Sequence, residues 1–218
     1  MSFNLITIEP TSYLDGLMFQ ENFFNAQLEK KAKNQPTSNT LIFLQHNPVY
    51  TIGKSGDLSN LKIPIENTNA EFFRTSRGGD ITYHGPGQLT GYPVFDLEHF
   101  DIGVRKYVET IEDCIIECIA HYGITGGRAE KASGVWLDVG TKDERKICAI
   151  GIKVSRGITM HGFAFNINTD LSYFENIIPC GIEDKGVTSL EKEVGKKMDF
   201  IEVLDVLLTS FEKRFTVA

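Results

Sequence analysis

The spacing of apolar and polar positions along the chain predicts three helices, over residues 11–33, 101–122 and 200–215. The buried face predicted for the first helix consists of Leu14, Leu17, Met18, Phe24 and Leu28. The stripe predicted for the second consists of Val104, Tyr107, Val108, Ile111, Ile115, Cys118 and Tyr122. Gly123 is placed to end the second helix, and Asp199 with Glu202 is typical of the start of the third.

Short apolar runs predict strands at 41–44, 49–52 and 91–97, and Pro93 indicates that the last of these is an edge strand or contains a bulge. Residues 134–139 and 146–154 flank a polar turn and predict a β-hairpin, followed by a strand over 158–168. Strands and helices do not alternate regularly. We therefore expect an α+β fold, a single domain over residues 1–218 with a mixed sheet flanked by helices.

Composition and charge exclude several classes of protein. The chain has 218 residues, 41% of them hydrophobic and 23% charged, which is ordinary for a globular protein. No apolar run is long enough to span a membrane, and the N-terminus lacks the pattern of a signal peptide, so we expect a cytoplasmic protein without a membrane segment. The net charge of −7 argues against a nucleic-acid partner.

Residues 128–156 nevertheless carry seven basic and four acidic side chains. The segment is either an ordinary solvated hairpin or a docking face for an acidic partner.

The four cysteines are Cys114, Cys118, Cys148 and Cys180, and their spacing is not that of a disulfide scaffold. Cys114 and Cys118 stand four residues apart on the second helix. No further ligands follow at a zinc-site spacing, so we interpret both as core residues and expect no metal.

The most unusual composition lies between Arg77 and Gln88, where four glycines and one proline occur in RGGDITYHGPGQ. A connecting turn needs only one or two glycines, whereas a ligand loop uses them to bring its backbone close to the ligand. We therefore predict a ligand-binding loop. A phosphate loop is excluded, because the best candidate, PVYTIGKS, has Pro48 where the first glycine is required. A G-x-G-x-x-G dinucleotide motif is absent as well.

Three further residues carry two interpretations each. Cys180, between Pro179 and Gly181, is either a small core residue or a nucleophile on a rigid turn. Lys146 is either the solvated end of a strand or, if it points into a pocket, an acid/base group. A structural role is the better interpretation of His161, and spacing alone identifies no Ser-His-Asp triad.

Four segments follow one another over residues 74–190, namely RGGDITYHGPGQLTGYPVFDL, GVW, KICAIGIKVSRGITMHGFAFNINTDL and PCGI with TSL downstream. Together, and in this order, they resemble the lipoyl(octanoyl) transferase family, the acyl-carrier-protein:protein octanoyltransferases of lipoate synthesis. The resemblance implies a catalytic domain of the type shared by biotin and lipoate protein ligases.

It also implies a reaction. An octanoyl group passes from octanoyl-acyl-carrier protein to a cysteine thioester and then to the lysine ε-amine of a lipoyl domain, without a cofactor. The implied acceptors are the lipoyl domains of 2-oxoacid dehydrogenases and the H protein of glycine cleavage.

By the same resemblance, Cys180 matches the nucleophile and Lys146 the acid/base lysine that lowers the pKa of the thiol. Lys153 is the second choice for that lysine. Fourteen residues match the family's acyl-binding segments, and we call them the predicted acyl wall: Arg77, Gly78, Gly79, Asp80, Ile81, Thr82, Tyr83, His84, Ala149, Ile150, Gly151, Gly162, Phe163 and Ala164. Its glycines, in strands that would otherwise favour β-branched residues, are predicted to set the bore of the acyl pocket.

Two other functions fit the same fold. An ATP-dependent lipoate or biotin ligase activates a free acid and needs no cysteine. A non-catalytic carrier-binding module would have the fold without the chemistry. The presence of both Cys180 and Lys146 favours the transferase over either alternative.

Overall fold

The computed structural model describes residues 2–130, 132–178 and 185–216. Within them the strands of the larger sheet are β1 Asn4–Thr7, β2 Thr40–Leu44, β6 Gln88–Val94, β7 Gly127–Ala129, β8 Ala132–Leu137, β9 Arg145–Ser155, β10 Ile158–Asn166 and β11 Gly186–Val187. The sheet runs in the order β1-β2-β6-β10-β9-β8-β7, and the short β11 pairs with β9. The β1/β2 and β9/β11 pairs are parallel and the other pairs antiparallel.

A second sheet of three strands lies beside the first. Its central strand β3 (Val49–Ile52) pairs in parallel with β4 (Glu71–Arg74) and antiparallel with β5 (Ile81–His84). The segment over residues 77–88, expected to be a loop, therefore contains a strand. A loop is the correct description only of the glycine-containing residues on either side of β5.

Helices cover both faces of the larger sheet. They are α1 Tyr13–Ala32, α2 Val104–His121, α3 Leu190–Val194 and α4 Phe200–Arg214. Alternation along β2 shows the two layers: Leu41 and Phe43 pack into the core that includes residues of α2 and α4, whereas Ile42 and Leu44 pack with Phe24 of α1. The α+β fold with a mixed sheet is confirmed. Among the described residues, the helices lack an apolar stretch of membrane-spanning length.

The predicted buried face of α1 is only partly right. Phe24 is buried as predicted, and Leu17 and Leu28 pack against its cluster. Leu14 and Met18 are 49% and 54% exposed. The buried residues are Tyr13, Gly16, Gln20, Phe24 and Gln27. Two of them are glutamines whose Oε1 atoms accept backbone N–H bonds, from His161 at 3.0 Å and from Ser38 at 2.9 Å. Hydrogen bonds to the chain thus decide which face of α1 is buried, and an apolar pattern cannot show this.

Pro93 does not lie on an edge strand, because β6 runs between β2 and β10. The ladder from β6 to β10 extends only from Gln88 to Gly91, so Pro93 lies beyond its end. On the other side Pro93 stands opposite Leu41 of β2. A proline is tolerated there because the β10 side of the strand requires no N–H donor at that position.

Other predicted elements are confirmed. The hairpin forms as β8 and β9, Gly123 follows α2 with a φ of 79°, and Asp199 caps α4 by accepting from the N–H groups of Ile201 and Glu202. Cys114 and Cys118 are fully buried in the core, as predicted.

Candidate active site

A cavity of about 480 Å³ lies among β5, β6, β9 and β10. Every residue of the predicted acyl wall lines it except Tyr83, and Lys146 lines it as well. Tyr83 projects elsewhere from β5, where its ring stacks on Tyr173 with the centroids 4.5 Å apart. The structure thus brings two distant stretches of the chain, 77–84 and 146–164, around one space.

The cavity has two unlike sides. Buried side chains line what we call the closed side: Arg77, His84, Thr90, Tyr92, His161 and Asn166. The open side carries partly or largely exposed residues, namely Ala132, Ser133, Phe174 and Val187. Because Val187 stands opposite Lys146 in the β11/β9 pair, Lys146 belongs to the open side.

Arg77 is buried beneath the glycine-containing segment and binds main-chain oxygens. Its guanidinium donates to the carbonyls of Thr51 and Asp80, both at 2.7 Å, and to that of Gly78 at 3.0 Å. It also donates to the Thr51 hydroxyl at 3.0 Å. These bonds tie the segment to β3, so Arg77 shapes the wall as well as lining it.

Two glycines of the wall, Gly151 and Gly162, are required by backbone contacts. A Cβ on Gly162 would lie 2.2 Å from the Gly91 carbonyl oxygen, and one on Gly151 would lie 2.9 Å from that of Gly78. Gly78 in turn donates its N–H to the Ile152 carbonyl at 2.9 Å. At Gly151 and Gly162 glycine therefore serves close approach between chain segments, which differs from the expectation that it widens the pocket.

A chain of hydrogen bonds crosses the closed side. His84 Nδ1 donates to Gln88 Oε1 at 2.9 Å, Gln88 Nε2 donates to Asn166 Oδ1 at 2.9 Å, and Asn166 Nδ2 donates to the Thr188 carbonyl at 3.0 Å. The Thr51 hydroxyl lies 3.2 Å from His84 Nε2. Because the amide nitrogen of Gln88 is already used as a donor, its oxygen faces His84, and the proton of the neutral imidazole lies on Nδ1. The network links the predicted ligand loop to the chain just after β11.

The histidines around the closed side are held neutral. Burial lowers the pKa of His46 to about 4, and burial together with the charges of Arg77 and Lys153 lowers that of His161 to about 3. Burial also holds the pKa of His84 well below its usual range. His161 bonds the Ser76 hydroxyl at 3.1 Å, and its φ of 58° lies in the left-handed region. Its contacts support the predicted structural role, although its ring also borders the cavity.

Lys146 is only 7% exposed, so it is not the solvated end of a strand. Its Nζ lies 4.5 Å from the ring centroid of Trp136, and its carbonyl accepts from the Thr188 N–H at 2.9 Å. Lys153, the alternative lysine, does not line the cavity. Its Nζ lies 5.1 Å from the ring centroid of Phe24 on α1.

Cys180, the predicted nucleophile, lies outside the described residues. The described residues on either side of it are anchored near the cavity. Ile178 donates its N–H to the Asn60 carbonyl at 2.8 Å, and Val187 pairs with Lys146. Phe174 and Val187 both line the cavity.

The three cysteines among the described residues are buried thiols. Burial raises the pKa of Cys118 to about 12 and raises those of Cys114 and Cys148 still further. A thiol must ionise to act as a nucleophile, so none of these three is suited to acyl transfer.

Several cavity residues were not predicted from the sequence. They include Tyr13, Thr90, Tyr92, Asn166, Phe174 and Val187, whereas Gln88 is the last residue of the predicted ligand loop. Thr90 lies two residues after that loop, and this position was the available signal. Tyr13 and Phe174 come from elements far away in sequence, and only the packing of α1 and of the chain before Cys180 brings them here.

Part of the basic segment 128–156 is neutralised within the chain. Arg145 pairs with Asp138 and, at 2.6 Å, with Glu193, while Arg128 pairs with Glu112 at 2.7 Å. Lys142 is exposed. The structure therefore does not present a uniformly basic docking face over this segment.

A second groove, of about 300 Å³, shares Phe174 and Val187 with the main cavity. Its lining includes Lys62, Lys185 and Lys192, with Glu175 as an acidic neighbour. Lys185 pairs with Glu144 at 3.2 Å, while Lys62 and Lys192 are exposed. Cationic side chains thus gather beside the open side.

In the part of the chain that the structure describes, no three His, Cys, Asp or Glu side chains are grouped so that they could hold a metal ion. His84, Gln88 and Asn166 bond to one another and Arg77 bonds to the main chain, whereas the buried Thr90 hydroxyl has no hydrogen-bond partner among the described residues.

Residues 12–212 match the family model described as the lipoyl protein ligase A/B catalytic domain. An octanoyltransferase of Flavobacterium johnsoniae is 52% identical over 195 residues, which cover 85% of this chain and 84% of the relative. An octanoyltransferase of Porphyromonas gingivalis is 50% identical over 207 residues, which cover 93% of this chain but only 42% of that longer relative.

Among solved structures, the chain is similar to a bipartite lipoate protein ligase from Thermoplasma acidophilum. The TM-score is 0.72 at 16% identity, with 98% of this chain and 84% of the other covered. At that identity the likeness concerns the fold. The octanoyltransferases of about 50% identity are more closely related to this chain than the solved ligase is.

Proposed function

Because the chain belongs to the family of lipoyl protein ligase A/B catalytic domains, and within it to the octanoyltransferases, we propose how it works. Residues 1–218 form one catalytic domain. It takes an octanoyl group from octanoyl-acyl-carrier protein onto Cys180 as a thioester and passes it to a lysine ε-amine of a lipoyl domain. Lys146 is the acid/base group of both steps.

The observation that supports these roles most directly is the surroundings of Lys146. A buried lysine lines the same cavity as the predicted acyl wall, and the strand that follows the Cys180 segment pairs with that lysine. The three described thiols are buried with raised pKa values, which leaves Cys180 as the best candidate nucleophile.

In the first half-reaction the Cys180 thiolate attacks the thioester carbonyl of the donor. The bond between the acyl carbon and the carrier sulfur breaks, and the Lys146 ammonium gives its proton to the departing carrier thiolate. The products are an octanoyl thioester on Cys180, a carrier thiol and a neutral Lys146 amine.

In the second half-reaction the neutral amine of the acceptor lysine attacks the Cys180 thioester. The amide bond forms, the Cys180 thiolate leaves, and the neutral Lys146 amine takes the proton from the attacking nitrogen. Both Lys146 and Cys180 return to their starting states, so the cycle needs no other reactant.

The cavity supplies the acyl-binding site. Its volume of about 480 Å³ lies within the range of small-ligand pockets, and Ile81, Ile150 and Phe163 give it apolar surface. Burial of an alkyl chain contributes about 0.8 kcal/mol per methylene, which holds the octanoyl group between the two half-reactions.

The test of the covalent step is the intact mass of the protein after incubation with octanoyl-acyl-carrier protein. We expect wild type to gain one octanoyl group and Cys180→Ala to gain none and to lose turnover. Cys118→Ala is the control with a buried thiol and should still acylate. Normal turnover by Cys180→Ala would refute the mechanism.

The partners that we propose are acidic carrier domains. The donor is octanoyl-acyl-carrier protein, and the acceptors are the lipoyl domains of 2-oxoacid dehydrogenases and the glycine cleavage H protein. The groove beside the open side, with Lys62, Lys185 and Lys192, gives such a partner complementary charge next to the acyl site.

Charge reversal tests this docking site. Lys62→Glu with Lys192→Glu should raise KM for the carrier and weaken its salt dependence, while reaction with a small octanoyl thioester stays unchanged. Lys106→Glu, at an exposed position on α2, is the matched control. An unchanged KM for the carrier in the double variant would exclude this groove as the docking site.

An ATP-dependent ligase remains the second candidate, because the fold is similar to that of a lipoate protein ligase. That reaction would release pyrophosphate when ATP and free octanoate are supplied. We expect no release from this chain, and release that persists in Cys180→Ala would favour the ligase.

A further inference from the structure

The Lys146 ammonium lies over the face of the Trp136 ring. The 4.5 Å between Nζ and the ring centroid is a cation–π distance, and an ammonium shielded from water is attracted to the face of an indole more strongly than one in solvent. The ring is itself fixed. It is 3% exposed, and its Nε1 donates to the Ala132 carbonyl at 3.2 Å.

A β-bulge brings the two side chains to the same face. Val135 stands opposite Cys148 and Trp136 opposite Lys146, so Ile147 is an extra residue on β9. Ile147 and Cys148 are adjacent in sequence, yet both are packed in the main core. Regular alternation counted back from Cys148 would point Lys146 into that core. The bulge turns it into the cavity instead.

The main chain on the other side of Lys146 is fixed as well. Beyond the end of the β9/β10 ladder at Cys148, β11 takes the place of β10, with Val187 opposite Lys146. The backbone of Lys146 thus lies between β8 and β11. The four-carbon side chain of Lys146 is long and flexible in solution, so its contacts in the fold fix the position of Nζ.

We propose that Trp136 is a positioning residue for the acyl transfer and holds the Nζ of Lys146 where it meets the reacting sulfur atoms. This inference rests on the proposed function and adds a residue to it. Trp136 does not touch the substrate in this scheme; it acts through Lys146.

A double-mutant cycle separates positioning from a structural role. Trp136→Leu should lower kcat for transfer from octanoyl-acyl-carrier protein about tenfold with little change in KM, and Trp136→Phe, which keeps a ring face, should recover much of the loss. In a Lys146→Met background, Trp136→Leu should have no further effect. A structural role would lower the rate in both backgrounds alike.

The pH profile of Cys180 alkylation by iodoacetamide gives a readout independent of turnover. If Lys146 activates the thiol, Lys146→Met should move the profile to higher pH, and Trp136→Leu should move it part of the way while Trp136→Phe stays near wild type. Wild-type turnover and profile in a folded Trp136→Leu would overturn the inference. If Trp136→Leu does not fold, Trp136→Phe with the profile and kcat of Lys146→Met would overturn it too.

The two proposals fail differently. Absence of an octanoyl-enzyme in wild type would refute the covalent mechanism itself. A wild type that acylates normally, together with a Trp136→Leu variant that does the same, would refute only the role of Trp136.

Discussion

The closed and open sides of the cavity each contain a buried cation, held in different ways. On the closed side the Arg77 guanidinium donates to three carbonyl oxygens and a hydroxyl, and planar, charge-assisted bonds of this kind hold a group in one place. On the open side the Lys146 ammonium lies over an aromatic ring, beside the strand that follows Cys180. A ring face attracts an ammonium without accepting its protons in conventional hydrogen bonds, so the protons can still be transferred in a reaction.

The two cations therefore suit different roles: Arg77 maintains the shape of the cavity, and Lys146 takes part in the chemistry. A guanidinium stays charged and suits a permanent tie between chain segments, whereas an amine can give and take a proton during a reaction. We therefore expect substitutions on the open side to lower activity with little loss of stability, and substitutions on the closed side to lower stability first.

The largest effect is expected from Lys146→Met. Loss of the acid/base group should lower kcat by about 10³-fold, while the midpoint of thermal unfolding stays close to that of wild type. The rate of octanoyl transfer to a lipoyl domain measures the first quantity and calorimetry the second. Lys153→Met is the matched control on the same strand and should keep most activity. A larger loss in Lys153→Met than in Lys146→Met would reverse the assignment of the two lysines.

Arg77→Leu should lower the free energy of unfolding by about 3 kcal/mol, because buried carbonyls would lose their donor. Urea unfolding measures this loss. Arg105→Leu, whose side chain is 94% exposed in wild type, is the control and should change stability by less than about 0.5 kcal/mol. Full stability in Arg77→Leu would show that the closed side is not held by this residue.

The glycines provide a finer test on the wall itself. Gly162→Ala should cost about 2 kcal/mol of stability, since its Cβ would meet the Gly91 carbonyl oxygen at 2.2 Å. Gly78→Ala, whose nearest contact would be 3.4 Å, should keep the stability of wild type. If Gly162→Ala were as stable as wild type and instead changed only the preferred acyl length, the glycine would set the pocket bore after all.

The smallest effect of a single substitution concerns the slope of stability against pH. His46 and His161 have folded pKa values of about 4 and 3, below the usual value of about 6.5, so the unfolded chain binds more protons between those values. Stability should therefore fall as pH decreases from about 6.5 towards 4, by up to about 1.4 kcal/mol per pH unit for each histidine.

Urea unfolding at pH 6.5, 5.8 and 5.0 measures that slope. His161→Asn should lower stability at pH 7 and flatten the slope, whereas substitution of the exposed His121 should leave the slope unchanged. An unaltered slope in His161→Asn would mean that its imidazole does not contribute to the acid sensitivity.

Much of the fold follows from local pattern. The α2 stripe from Tyr107 to Cys118 is apolar at helical spacing, and the β8/β9 hairpin is marked by its polar turn, so periodicity was sufficient for both. The pattern was only partly right for α1. There Gln20 and Gln27 are buried by hydrogen bonds to residues far along the chain, which no local period reports.

The sequence by itself determined the family and the residue types that the chemistry uses. A lysine, a cysteine and a glycine-containing loop in a given order are chemical facts of the chain, and they carry the resemblance to octanoyltransferases. Tertiary structure decided where the lysine points and which strands lie beside it. The extra residue at Ile147 turns Lys146 from the core to the cavity, and β11 brings the far end of the Cys180 segment beside it. A one-residue change of register exchanges the two faces of a strand, so only the paired strands determine which face a side chain occupies.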